Sequence, residues 1–313
     1  MIIVTGGAGF IGSNLVYKLN KSGIYDIIIV DNLKNSIKQR NLNALKFLDF
    51  IDKDDFLNKI NSFKKIEVIF HQGACSNTME TDGRYMMKNN YEYSKNLFNH
   101  SLKNNIRFIY ASSASVYGNG TNGFKEEDLS EYPLNIYAYS KYLFDQYVRR
   151  SLKNKPQIVG LRYFNVYGQQ ENHKGKMASV IYHFYNQIKI ENKMKLFSGS
   201  ENFLRDFIYV DDIIDINLFF LNNPSISGIF NCGTGQPNSF LKIANILQEL
   251  FKDSKIEFIP FPDELKGKYQ TFTAADLTRL RSSGYKKEFT TLDIGIRNYI
   301  NYLKENEGYL YKF

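Results

Sequence analysis

Apolar residues fall in short uninterrupted runs, separated by longer stretches in which they recur at helical spacing. Ile2-Ile3-Val4, Asp26 to Val30, Glu67 to Phe70, Arg107 to Ala111 and Gln157 to Leu161 each read as a buried strand. Between them, Ser13 to Leu19, Tyr85 to Lys103 and a segment opening at Ile136 read as helices, with helical and loop material from Lys53 to Phe63. Strand and helix in alternation argue for a parallel sheet covered by helices on both faces. Past Gly168 the rhythm changes. Ala178 to Ile190, Asp211 to Asn222, Phe240 to Phe251 and Thr291 to Lys304 read as helices, and 196–200 and 203–207 as loop and short strand. Gly228 to Gly233 reads as a strand able to rejoin the sheet, and Ile256 to Ile259 as one more strand. The expectation is an α/β chain: a doubly wound parallel sheet over 1–168, rejoined by segments near 206–236 and 274–290, with 169–313 mainly forming a smaller, discontinuous lobe.

A chain of 313 residues can bury a core of that size. It contains no run of about eighteen apolar residues, so no membrane span is expected. No basic segment precedes the first strand, so no signal peptide is expected either. Cys75 and Cys232 make no disulfide framework, which suits a reducing cytoplasm. Four scattered histidines suggest no metal site. The formal charge of +8 raises the question of nucleic acid. The lysines, however, are dispersed among Asn, Ile, Tyr and Phe without a basic block. That is the mark of a compositional bias, and no nucleic-acid partner is expected.

Candidate chemistry begins at the first strand. Gly6, Gly9 and Gly12 follow it at three-residue spacing and a helix follows them, the context of a Rossmann-type dinucleotide fingerprint. Glycines there let the chain turn tightly and let a pyrophosphate approach the free N–H groups of a helix N-terminus. Asp31, ending the second strand about twenty residues on, is placed to bond a ribose. The bland alternative is a glycine-rich turn with no ligand. His71, at the end of another strand, reads as a packed or hydrogen-bonded histidine before a catalyst.

Tyr137 and Lys141 are four residues apart at the start of a helix, hence on one face. A free phenol has a pKa near 10, and a nearby ammonium is expected to lower it. The phenolate would then take the proton of a sugar hydroxyl as hydride leaves the same carbon. Ser113, at the end of the preceding strand, is placed to hold the same oxygen.

The TGGAGFIG start, SSASVYG and Tyr137-x-x-x-Lys141 together resemble the extended short-chain dehydrogenase/reductase family, which pairs a Rossmann domain with a nucleotide-sugar lobe. Ala114-Ser115 stand where the dehydratases of that family carry an acidic pair, so water elimination is not expected. Five longer stretches, 71–95, 162–168, 173–180, 196–210 and 259–285, are similar to the ADP-L-glycero-D-manno-heptose 6-epimerases, and the likeness runs nearly end to end. Another nucleotide-sugar epimerase of the family, such as a UDP-hexose 4-epimerase, is the alternative.

The resemblance implies oxidation at C6 of an ADP-heptose and return of hydride to the opposite face, in lipopolysaccharide core biosynthesis. It implies two proton-handling groups: Tyr137, with Lys141 and Ser113, and Lys174. Read from the residues alone, Lys174 is a phosphate contact or surface charge before it is a catalyst. Cofactor contacts are implied at Gly6, Gly9, Phe10, Ile11, Gly12, Asp31, Asn32, Lys38, Lys53, Gln72, Gly73, Ala74, Cys75, Ser76, Asn89, Lys141, Val166 and Lys174. Asp31 disfavours a 2′-phosphate, yet the resemblance implies NADP, with NAD a weaker substitute. Lys38 and Lys53 would then neutralise the phosphate; otherwise they are solvated loop charge. Substrate contacts are implied at Asn165, Lys176, His183, Phe197, Ser198, Gly199, Ser200, Arg205 and Tyr269. Arg205 reaches phosphate in this reading, or else pairs with a neighbouring aspartate. Gln72, Lys176 and Ser198 depart from the residues usual in the resembled enzymes. A homo-oligomer, specifically a homopentamer, is implied too.

Overall fold

The structure is a computed structural model that describes residues 1–152, 156–262 and 270–312. Its strands are β1 (Ile2–Thr5), β2 (Ile27–Asp31), β3 (Asp49–Asp52), β4 (Val68–His71), β5 (Arg107–Ser113), β6 (Ile158–Tyr163), β7 (Asn165–Tyr167), β8 (Lys193–Phe197), β9 (Leu204–Tyr209), β10 (Gly228–Cys232), β11 (Pro237–Ser239) and β12 (Lys255–Ile259). Its α-helices are α1 (Phe10–Lys21), α2 (Lys53–Lys59), α3 (Gly83–Met86), α4 (Tyr93–Lys103), α5 (Ile136–Arg149), α6 (Val180–Glu191), α7 (Val210–Asn222), α8 (Phe240–Leu250), α9 (Thr278–Ser282) and α10 (Leu292–Asn306).

Seven strands form one parallel sheet in the order β3-β2-β1-β4-β5-β6-β10. The period of two along β1 feeds two cores. Ile2 and Val4 join Leu15, Val16 and Phe220 on one face, and Ile3 joins Phe98, Phe108 and Phe144 on the other. Burying each such side chain contributes about 1.5–3 kcal/mol, which is why the strands read as unbroken apolar runs. The strand order reverses at β1, so a crevice opens beyond the carboxyl ends of β1 and β4. β10 adds to the sheet beside β6, α7 packs on α1, and α9 lies against β10. A three-stranded sheet, β11-β9-β7, and the parallel pair β12-β8 complete the rest. Asn135, Ser179, Ser239 and Thr291 cap α5, α6, α8 and α10 through their side chains.

Two elements differ from the sequence reading. β3 has no apolar run; it is an edge strand in which Ile51 alone is buried. The helix expected over Tyr85 to Lys103 begins at Gly83 and is broken by a π turn, Met87–Glu92, between α3 and α4. A π turn holds an extra residue and so re-aims the side chains it carries. Among the described residues, no helix is long and apolar enough to cross a membrane.

Candidate active site

The crevice floor is built by two backbones in close approach. Gly6 lies at φ +70°, and a Cβ there would meet Gly73 N at 2.6 Å; a Cβ on Gly12 would meet Gly6 O at 2.2 Å. Side chains at these positions would fill the turn, so the turn has the form of a pyrophosphate cradle. Gly9 caps α1 without a side-chain bond, leaving the first N–H groups of a twelve-residue helix for an anion. Phe10 is packed in the core and Ile11 is half-buried.

Asp31 ends β2 almost fully buried. Its Oδ2 accepts from Ala8 N (2.9 Å), and its Oδ1 from Asn32 N (2.7 Å) and Lys38 Nζ (2.6 Å). Lys38 therefore sits on the carboxylate expected to repel a 2′-phosphate. Lys53 opens α2 and pairs with Asp54.

At the end of β4, His71 is a structural residue. Its ring bonds Thr5 Oγ1 at 2.6 Å and Ser94 Oγ at 2.7 Å, and burial takes its pKa down to about 3. The Gln72 side chain turns inward: its Oε1 accepts from Tyr163 Oη (3.0 Å) and its Nε2 donates to Asn217 Oδ1 (3.2 Å). Cys75, within the run 72–76, is held at both backbone ends by Asn90, which accepts from its N–H (2.8 Å) and donates to its carbonyl (2.9 Å). The Asn89 amide instead donates to Tyr85 O, back along its own helix. Sequence reasoning did not single out Asn90, which the π turn buries against this loop.

Asn135 fixes the start of α5 by accepting from Ala138 N at 2.8 Å. Two residues after the cap, half-buried Tyr137 stands beside Ser113, whose Oγ accepts from Ser115 Oγ at 2.9 Å. The nearly buried Lys141 amine does not bond the phenol. It donates to the Ala111 carbonyl at 2.7 Å, and burial takes its pKa down to about 8. The expectation of an acidified phenol is thus corrected. Burial raises the Tyr137 pKa above its ordinary value, and the Ser113 hydroxyl beside it opposes that rise.

Next to this crevice a cavity of about 590 Å³ collects Asn165, Val166, Lys174, Lys176, His183, Phe197 and Ser200, all of them expected site residues. Sequence reasoning missed its remaining aromatic lining, which includes Phe164, Phe203, Phe207 and Phe240. Lys174 Nζ lies 4.8 Å from the Phe10 ring centroid and 3.7 Å from the fully buried Glu171 carboxylate. Its loop is tied to the crevice floor: Asn14 Nδ2 donates to Gln169 O (3.0 Å), Asn41 Nδ2 to Ala8 O (2.9 Å) and Gln170 O (3.2 Å), and Asn35 Nδ2 to His173 O (3.1 Å). The neighbouring His173 has its pKa lowered to about 4, chiefly by burial.

Ser198 and Gly199 form the turn after β8 and do not line the cavity. Arg205 is buried on β9, opposite Asn238 of β11. The adjacent Asp206 carboxylate accepts from the N–H groups of Thr234, Gly235 and Ala275 (2.7, 2.9 and 2.9 Å) and pins two loops. Tyr269 lies outside the described residues. Among the described residues, no group of three or more His, Cys, Asp or Glu is arranged to hold a metal ion.

Residues 2–233 match the NAD dependent epimerase/dehydratase family. A protein of Brachyspira hyodysenteriae named ADP-L-glycero-D-manno-heptose-6-epimerase is 60% identical, over 99% of this chain and all of that one. The crystal structure of Helicobacter pylori ADP-L-glycero-D-manno-heptose-6-epimerase superposes with a TM-score of 0.87 at 30% identity, covering 97% of this chain and 96% of that one. UDP-glucose 4-epimerase of Thermotoga maritima, solved with UDP-glucose, gives a TM-score of 0.84 at 28% identity over 98% and 99% of the two chains.

Proposed function

The chain belongs to the NAD dependent epimerase/dehydratase family, and from that premise we propose that it interconverts ADP-D-glycero-β-D-manno-heptose and ADP-L-glycero-β-D-manno-heptose at C6. The observation that carries this reading is the match, at 60% identity over essentially both full lengths, to a protein named for that activity. The geometry agrees with it. A dinucleotide cradle, Ser113 beside Tyr137 with Lys141 one turn away, and a cavity of about 590 Å³ holding Lys174 lie around one crevice.

The nicotinamide cofactor, when bound, supplies reversible hydride transfer. The protein's own residues do the rest. The glycine turn and the N-terminus of α1 hold the pyrophosphate. Tyr137, its oxygen positioned by Ser113, exchanges a proton with the C6 hydroxyl as that carbon passes to the ketone. Because hydride must return to the other face of the 6-keto sugar, its oxygen meets a second proton-handling group, assigned to Lys174. Asn165, Lys176, His183, Phe197 and Ser200 line the space for the sugar and its ADP, and Arg205 and Tyr269 are assigned to the same ligand on family likeness. NADP is the preferred cofactor in this reading, because Lys38 neutralises the Asp31 carboxylate that would otherwise repel a 2′-phosphate. Lys53 has a lesser part, being engaged with Asp54. The enzyme acts in the cytoplasm, as a homo-oligomer.

The test is incubation of the purified protein with ADP-D-glycero-β-D-manno-heptose and, separately, UDP-glucose. Epimerisation of the heptose alone is expected. Turnover of UDP-glucose alone would make the protein a hexose 4-epimerase. Titration of NADP and NAD against wild type and Lys38→Ala should show NADP bound more tightly by wild type and the preference narrowed in the variant.

A further inference from the structure

Asp145 lies one turn beyond Lys141 on the same face of α5, and is fully buried. Its Oδ1 accepts from Tyr110 Oη at 2.8 Å; its Oδ2 accepts from Ser112 Oγ and from Arg162 Nε, both at 2.9 Å. Arg162 is itself fully buried and bonds Tyr117 Oη and Glu131, which in turn holds Arg149. A row of alternating charge thus runs from Lys141 through Asp145, Arg162 and Glu131 to Arg149. Buried ion pairs are a poor route to stability alone, since desolvation offsets much of their attraction. This one begins at the catalytic lysine and is bonded to the residue next to Ser113.

We propose that Asp145 is the positioning residue for the proton-handling group: through Ser112 it fixes the end of β5, and so Ser113, and through its charge it faces Lys141. The inference rests on the roles given above to Ser113, Tyr137 and Lys141. The groups facing Lys141 are Asp145 from its own helix, the Ala111 carbonyl from β5, His71 from the end of β4 and Cys75 from the loop after it, with Tyr137 one turn back on the same helix face. Buried His71, with a pKa of about 3, is uncharged at neutral pH. Asp145 is the carboxylate among them, and it opposes the lowering of the Lys141 pKa by burial.

The experiment is Asp145→Asn in the full-length enzyme with its cofactor bound. Lys141 is titrated by NMR of lysine labelled at Cε, with Lys141→Met to assign the signal. The Lys141 midpoint should fall by about one unit or more, kcat should drop about 10- to 100-fold, and KM should stay within about threefold. A structural role alone would lower kcat in proportion to the folded fraction and leave the midpoint where it was; that result overturns the proposal. Should the Asn variant not fold, Ser112→Ala decides, read on whichever nucleotide sugar the wild type turns over. A loss of about tenfold in kcat with KM held is expected, and wild-type kcat overturns the proposal. Failure of the heptose assignment is seen separately, as a wild type inactive on ADP-heptose, and leaves the NMR titration valid.

Discussion

Lysine and tyrosine four apart on a helix are legible in any sequence, and here they fall beside the serine that a strand end supplies. What their spacing left hidden is where the amine goes. Lys141 bonds the Ala111 carbonyl, a backbone group whose position depends on how α5 lies across the sheet, so the ordering of charges at Tyr137 had to come from tertiary structure. Lys174 was legible only through resemblance, because nothing local marks a lysine that lies over Phe10 and against buried Glu171. General acid–base groups contribute roughly 10²- to 10⁴-fold. Tyr137→Phe and Lys174→Met should each lose epimerisation on that scale, while Lys174→Met keeps NADP affinity within a few-fold by fluorescence titration. Near-normal turnover in Lys174→Met would remove it from the mechanism.

Elements that bury both faces announced themselves as apolar runs, which is why the central strands were readable. β3 was not, since an edge strand needs one buried residue and has one, Ile51. The π turn was unreadable for another reason: a helical pattern is judged against 3.6 residues per turn, and an inserted residue looks like noise. Its effect is concrete, because it brings Asn90 rather than Asn89 onto the loop of Cys75. Asn90→Leu leaves that backbone N–H and carbonyl without their partner. A cost of about 0.5–1.5 kcal/mol follows for each bond lost, since Cys75 is only half-buried, together with weaker NADP binding. Urea unfolding and cofactor titration on the same variant check both halves. Unchanged cofactor affinity would confine Asn90 to stability.

At the level of the whole molecule, the form of the cavity was hidden even though seven of its lining residues were named by resemblance, since that lining comes from segments as far apart in sequence as Phe164 and Phe240. The same assembly fixes a response to acid. His71 and His173 have folded pKa values near 3 and 4, below their usual 6.5, so the unfolded chain takes up their protons first. Asp212 acts oppositely: burial raises it to about 6, and the folded state takes up its proton first. Two protons favour unfolding and one favours folding, so from about pH 6 down to 4 these three groups alone contribute a loss of roughly 1.4 kcal/mol per pH unit, opposed by Glu126, Asp206 and Asp211, whose carboxyls burial also raises. Urea unfolding of wild type and His173→Asn at pH 7, 6 and 5 isolates one histidine: wild type should lose more stability on acidification than the variant, and equal slopes contradict it. The ties from Asn14, Asn35 and Asn41 to the loop of Lys174 carry a last consequence. Both groups proposed to trade protons with the sugar are fastened to the half proposed to grip the dinucleotide, whereas Phe203 and Phe240 reach the cavity from the segment before β9 and the start of α8. Retargeting such an enzyme to a new sugar is therefore a matter of recarving one wall by grafting, with the chemistry left standing on the other.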